Sequence, residues 1–232
     1  MKHRLTKHRL VRDRRAWILD KARGRSVIHV GCTDAGFLEN KTDQNMHLHA
    51  QLASTCTNLI GIDVDEPGIE QLHSQGYKHT VRADIATEYA TIITEVSERI
   101  GKCDLIICGE VLEHVLNSGQ FLRGVRELAI ASQAAVIISV PNAFSLEGFV
   151  SVVLRTEDVH PDHKCYFSEV TLNTLLRQTG FRTVETLFYS RGRAKSRLRR
   201  ALKRVTARTV FAIRPQLADG LIVVVEPAEL PG

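Results

Sequence analysis

The stretch Ser26-Val-Ile-His-Val30-Gly31-Cys-Thr-Asp-Ala-Gly36 decides how this chain is read. Its first five residues are a short apolar run of the length of a buried β-strand. The run stops at Gly31, a residue that lets the backbone turn sharply and approach a ligand closely. The same pattern recurs downstream. Residues 58–62 (Asn-Leu-Ile-Gly-Ile) lead to Asp63-Val-Asp65, residues 104–108 (Asp-Leu-Ile-Ile-Cys) lead to Gly109-Glu110, and residues 135–140 (Ala-Val-Ile-Ile-Ser-Val) stop at Pro141. A shorter strand is predicted over 78–82, leading to Ala83-Asp84-Ile85. Amphipathic stretches between the strands predict helices over 48–56, 67–75, 88–100 and 118–130, with Pro67 suited to a first helical turn and Gly76 and Gly101 to helix ends. The strands are continuously apolar rather than alternating, which is the pattern of parallel strands covered by helices on both faces. Strand–helix repetition of this kind specifies an α/β class: a doubly wound, Rossmann-like sheet with right-handed crossovers.

Beyond Pro141 the rhythm changes. A helix is predicted over 144–154, then a polar, histidine-rich loop over 157–165, then a helix to 179 with Ser168 as its N-cap. Residues 181–189 and 221–226 read as two further strands. Between them, residues 191–214 hold ten Lys/Arg and no acid, with Leu198, Ala201, Leu202 and Val205 at helical spacing, so a basic amphipathic helix is expected there. Residues 1–25 hold ten Lys/Arg against Asp13 and Asp20 and read as a basic N-terminal helix. Residues 26–232 then form one domain, with 191–214 as an insertion. The net charge of +5 thus hides an acidic body carrying two basic segments. Such segments suit nucleic acid, an anionic membrane or a phosphate-bearing substrate; solvated helix faces are the competing reading.

Composition narrows the class further. With 232 residues, 44% hydrophobic and 25% charged, the chain has the make-up of a globular domain rather than a disordered one. No apolar run approaches the roughly 18 residues that span a bilayer. The opening MKHRLTKHRL lacks the apolar core of a secretory signal. Five cysteines without a CxxC pair argue for reduced thiols, hence for a cytoplasmic, soluble protein.

In a doubly wound sheet, ligands bind outside the carboxyl ends of the strands, where the strand order reverses. Gly31, Cys32, Thr33 and Gly36 occupy one such end, and the amides of that loop suit a carboxylate or phosphate. Asp63, with Val64 beside it, stands just past the second strand, where a carboxylate can accept both hydroxyl protons of a ribose; helix capping is the alternative. Asp84 and Ile85 follow the third strand, where a carboxylate suits an exocyclic amino group and a simple turn is the alternative. Glu110, Glu113 and His114 follow the fourth.

VIHVGCTDAG, LIGIDVDEPGIE, RADI and DLIICGEVLEHV stand in the order and spacing of class I S-adenosylmethionine-dependent methyltransferases, which residues 26–190 resemble. The similarity is greatest to the small-molecule branch with an EVLEHV segment after the fourth strand, and VPNAFS and HPDHKCYFSEVTLNTLLRQTGF are similar to that branch as well. The resemblance implies a seven-stranded sheet, mostly parallel with an antiparallel last strand. It also implies S-adenosylmethionine as cofactor and S-adenosylhomocysteine as product. Gly31 and its loop would pass under the methionine moiety, Asp63 would bind the ribose, Asp84 with Ile85 would border the adenine, and Glu110 would close the methionine side. The family often has an acid at the position of His29 and glycines at those of Thr33 and Ala35.

Methyl transfer is an in-line displacement, so alignment of the reacting atoms supplies most of the rate. A hydroxyl acceptor gains from a base, and histidine titrates near neutrality. His163 is the first candidate, because the resemblance sets the HPDHKCYFS segment over the methyl end; His160 and His114 are the others. The expected acceptor is a small molecule, sugar or glycan. An alternative follows from similarity to the metal site of small-RNA 2′-O-methyltransferases: Glu110, Glu113, His114 and His163 would hold a divalent cation, and the basic segments would bind RNA. A non-catalytic cofactor-binding scaffold is a third reading. A nicotinamide dehydrogenase is disfavoured, because Thr33 interrupts GxGxxG and Asp63 lies beyond its spacing of about 20 residues. The helix expected at 191–214 would also suit docking on an anionic inner membrane face.

Overall fold

In the computed structural model, which describes residues 9–34, 47–157, 159–190 and 209–230, the apolar runs assemble into one eight-stranded sheet. The strands are β1 (Arg9–Val11), β2 (Ser26–Val30), β3 (Asn58–Asp63), β4 (Thr80–Arg82), β5 (Leu105–Gly109), β6 (Ala135–Pro141), β7 (Phe181–Tyr189) and β8 (Gly220–Pro227). Their order is β1-β7-β8-β6-β5-β2-β3-β4. Every described pairing is parallel except those of β8, which runs antiparallel to both β6 and β7. The order reverses between β2 and β5, so the crevice of a doubly wound sheet opens beyond Gly31 and Gly109.

Among the described residues, the helices that flank the sheet include α1 (Arg14–Ala22), α2 (Leu48–Ala53), α3 (Glu66–Ser74), α4 (Tyr89–Ile100), α5 (Ser118–Ser132), α6 (Leu146–Val153) and α7 (Glu169–Gln178). The uninterrupted apolar strands follow from burial on both faces. Along β5, Ile106 and Cys108 join the core beneath α4 and α5, with Ile92, Val96, Leu122 and Val125. The intervening Leu105 and Ile107 join the opposite core, with Ile18 and Ala22 of α1 and Leu48 and Leu52 of α2.

The sequence expectation differs from the structure at the N-terminus. Residues 1–25 were expected to be one helix, and the sheet to have seven strands. Instead Arg9–Val11 form an eighth strand, parallel to β7 in the register Arg9↔Leu187, Leu10↔Phe188 and Val11↔Tyr189. Asp13 separates that strand from α1 by acting as an N-cap, its carboxylate accepting from the Ala16 amide at 3.0 Å. The strand and cap explain the break: Val11 is buried at the sheet edge, whereas a helix through it would lose that pairing. Gly36 and most of the expected basic helix, residues 191–208, lie outside the described residues; a short helix at Val210–Ile213 closes that stretch.

Ile106 is fully buried in the middle of β5. Ile106→Ala is expected to lower unfolding free energy by about 2–5 kcal/mol in urea titrations, with an unchanged denaturant slope.

Candidate active site

The sheet dictates the crevice. At the end of β2 the chain turns with φ +76° at Gly31, and a Cβ there would stand 2.3 Å from Val111 Cγ2. Both the backbone angle and the space therefore require glycine. The turn leads into Thr33, fully buried, whose amide and hydroxyl donate to Asp63 Oδ2 at 2.9 and 2.8 Å. The Val64 and Asp65 amides donate to Asp63 Oδ1 at 2.8 and 3.1 Å. Asp63 thus clamps the loop after β2 to the loop after β3. A carboxylate offers about four acceptor positions, and here four donors of the protein itself meet them.

Threonine in place of glycine at 33 has a visible accommodation. A Cβ on Gly68 of α3 would stand 2.7 Å from Thr33 Cβ, so α3 supplies the missing space. Val64 is 58% exposed beside Asp63, an apolar side chain left in water at the rim where a flat base would cover it. Asp84 begins the turn after β4: its Oδ1 accepts from the Ala86 amide at 2.9 Å, and its own amide donates to Glu88 Oε2 at 2.8 Å. The turn reading of Asp84 therefore holds as local structure, while Ile85 is buried beside it.

Glu110 sits on the other wall with φ +60°, a backbone region that non-glycine residues rarely adopt. Its amide donates to the Ser139 carbonyl at 2.9 Å, and its Oε1 accepts from the Tyr189 hydroxyl at 2.5 Å. Arg14 completes the wall, donating from Nη1 to Ser139 Oγ at 2.9 Å with its guanidinium 5.7 Å from the Tyr189 ring centre. Arg14, Ser139 and Tyr189 were not singled out in the sequence. The N-terminal charge excess was visible there, but nothing distinguished Arg14 from its basic neighbours.

The loop after α6 brings three histidines together. One ring nitrogen each from His114, His160 and His163 lies within 4.8 Å of the others, and the His114 and His163 rings meet edge to face at 4.7 Å. The loop is tied to the turn Leu112–His114 by the Lys164 amide, which donates to the Glu113 carbonyl at 2.7 Å. Burial, then the neighbouring His160, lowers the pKa of His114, partly offset by Asp162 and Glu110, so a neutral imidazole is favoured. All three candidate bases therefore converge. Of the residues named for a cation, His114 and His163 share this group with His160, Glu110 accepts from Tyr189, and Glu113 is buried in the turn beside His114.

Comparison with known proteins agrees with this geometry. The methyltransferase-domain family profile matches residues 1–186. A small RNA 2′-O-methyltransferase of Mus musculus is 28% identical over 179 residues, covering 72% of this chain and 40% of that protein. The chain thus spans about two fifths of the length of the curated relatives it matches. Among solved structures, the small RNA methyltransferase HEN1 has a TM-score of 0.56 at 16% identity, over 94% of this chain and 25% of that one. The magnesium protoporphyrin IX methyltransferase of Synechocystis PCC 6803 with bound SAH has a TM-score of 0.53 at 16% identity, over 92% of this chain and 80% of that one. Fold and crevice define a class I S-adenosylmethionine-dependent methyltransferase. The chain belongs to the methyltransferase-domain family.

Behind the Gly31 turn lies a second, buried histidine group. His29 Nδ1 and His49 Nδ1 are 3.3 Å apart, with the rings stacked at 5.5 Å, so one ring donates the proton that the other accepts. Burial, then His49, His47 and Arg14, holds His29 well below the usual imidazole range; burial and His47 lower His49 to about 3. Both are neutral in the fold and titrate near 6.5 when unfolded. Depressed folded pKa values give stability that is complete above about pH 6.5 and lost as pH falls towards 3, by at most about 1.4 kcal/mol per unit for each imidazole. Urea denaturation at pH 7.5, 6.0 and 5.0 is expected to show that decline, and His49→Gln to flatten it; equal stability at all three values would contradict it.

Proposed function

We propose that this methyltransferase transfers its methyl group to a ribose 2′-hydroxyl of RNA, with the imidazoles of His114, His160 and His163 receiving the acceptor. The observation that carries the reading is the convergence of those three rings beside the turn that follows β5. The names of its sequence relatives point to the same hydroxyl chemistry. The cofactor supplies an activated methyl on a sulfonium, and the leaving thioether needs no protonation. The chain's work is then to orient and to hold a proton. Asp63 and Val64 bind the nucleoside end, the Gly31 turn passes under the methionine moiety, and Glu110 bounds that side. His163, His114 or His160 accepts the hydroxyl proton as the C–O bond forms. A neutral imidazole at physiological pH is the form that this task requires.

The same three nitrogens have the donor chemistry for a divalent cation of intermediate softness such as Zn²⁺ or Mn²⁺. Such an ion would bind a vicinal hydroxyl pair and lower the pKa of the attacking one. The cation surplus in residues 1–25 and 191–214 suits the phosphates of an RNA strand.

A second reading, a small-molecule, sugar or glycan acceptor with a histidine base and no cation, is favoured by the apolar rim of the cluster. Leu116, two residues beyond His114, is 89% exposed, and Val159 and Tyr166 are exposed beside His160 and His163.

Tritiated methyl transfer separates the two. An RNA oligonucleotide ending in a 2′,3′-diol is expected to be labelled, and the same strand with a 2′-deoxy end to remain unlabelled. His163→Ala and His114→Ala are expected to lower kcat/KM by about 10²–10⁴-fold while retaining affinity for S-adenosylhomocysteine. Label entering glycans but not RNA would move the assignment to the second reading. Full activity of both histidine variants would overturn the role of the cluster.

A further inference from the structure

Helix α6 has an unusual surface. Its sequence, Leu-Glu-Gly-Phe-Val-Ser-Val-Val, contains no buried residue, although five of its eight positions are apolar. Phe149 is 67% exposed, Val152 68% and Val153 64%, and Leu154 just beyond its end is 68% exposed. Phe144, in the turn before the helix, is 68% exposed as well. A helix that belonged only to the core would turn this stripe inward, and a contiguous apolar surface in water marks an interaction site.

A second element with an exposed apolar residue is tied to the base of α6. The Asn142 side chain, at the root of α6, donates to the Gln216 and Ala218 carbonyls at 2.8 Å each, and its amide donates to the Asp219 carbonyl at 3.0 Å. These bonds hold the turn that follows Val210–Ile213 against the base of α6, and Ile213 there is 72% exposed. Cations edge both apolar elements. Arg155 is exposed directly after Leu154, and Arg214 directly after Ile213. The acids close to α6, Glu147 and Glu157, lie at its two ends rather than within the stripe. Ser190, whose hydroxyl donates to Asp219 Oδ2 at 3.1 Å, and Thr209 bound a sequence with nine further Lys/Arg and no acid.

We infer that α6, with Phe144 and Ile213, is a monotopic docking surface for an anionic lipid bilayer. Phe149, Val152, Val153 and Leu154 enter the headgroup–acyl boundary, and Arg155 and Arg214 meet lipid phosphates. Exposed apolar residues edged by cations are the combination that such surfaces require. A single-stranded RNA would call for aromatic platforms and would leave Val152, Val153 and Leu154 without a role. The loop carrying His160 and His163 follows α6 directly, so docking would set the acceptor side of the crevice near the membrane. The inference stands whichever hydroxyl is methylated.

Flotation of the full chain with vesicles tests it. Vesicles of phosphatidylcholine with 30% phosphatidylglycerol are expected to retain the chain at least about tenfold better than phosphatidylcholine alone, and high salt to weaken that retention. Phe149→Asp with Val153→Asp is expected to remove it, while the far-ultraviolet circular dichroism and affinity for S-adenosylhomocysteine stay unchanged. Phe149→Trp is expected to show a blue-shifted emission on adding anionic vesicles, quenched by brominated acyl chains. The proposal is overturned if the wild-type chain does not float, if the double variant floats equally well, or if the tryptophan stays in water. It is also overturned if the double variant loses RNA binding or self-association instead. Methyl transfer to RNA or glycan is read separately, so failure here leaves the acceptor assignment intact, and failure of that assignment leaves this one testable.

Discussion

The carboxylate of Asp63 holds four hydrogen-bond donors from two loops, and the architecture of the crevice depends on that concentration of contacts. A parallel sheet ends all its central strands at one edge, where the chain must turn away repeatedly without exposing unsatisfied amides. Asp63 solves this locally for β2 and β3. It fixes the amide of Thr33, positions the amides that lead into α3, and keeps a negative charge at the mouth of the site. The Gly31 turn, which tolerates no side chain against Val111, then defines the floor. The acid that organises these loops is the one proposed to bind the cofactor's ribose, so in that proposal loop structure and cofactor recognition share one group.

The central sheet was legible because burial on both faces forces unbroken apolar strands, which few other arrangements produce. Asp63, Asp84 and Glu110 could be placed at or just past strand ends because the apolar runs mark where the strands stop. The edge strand Arg9–Val11 was not legible: three residues in a strongly basic stretch carry no periodicity, and only the pairing with Leu187–Tyr189 reveals them. Arg14, Ser139 and Tyr189 escaped notice because their meeting depends on three distant segments that the topology draws to one strand end. At the histidine cluster the three candidate side chains were legible singly, but their meeting was not, because it depends on the loop after α6 folding back onto the turn after β5.

Two chemistries thus meet at the acceptor side. His114, its pKa lowered by burial and then by His160, stands in a group of three imidazoles, and Leu116, Val159 and Tyr166 close to them in the chain are exposed. The deeper histidines, His29 and His49, take no part in that surface. His29 stands where the family resembled often has an acid, and burial keeps both imidazoles neutral beneath the Gly31 turn. In the proposal Asp63 is then the polar anchor for the nucleoside end, which concentrates the consequences of changing it.

Isothermal titration calorimetry with S-adenosylhomocysteine, comparing the wild-type chain with Asp63→Ala, is therefore the most direct examination. The account predicts saturable binding to the wild-type chain and a loss of at least about tenfold for each diol hydrogen bond removed, in a variant that remains folded. Equal affinity in the two proteins, or no heat from the wild-type chain, would contradict it.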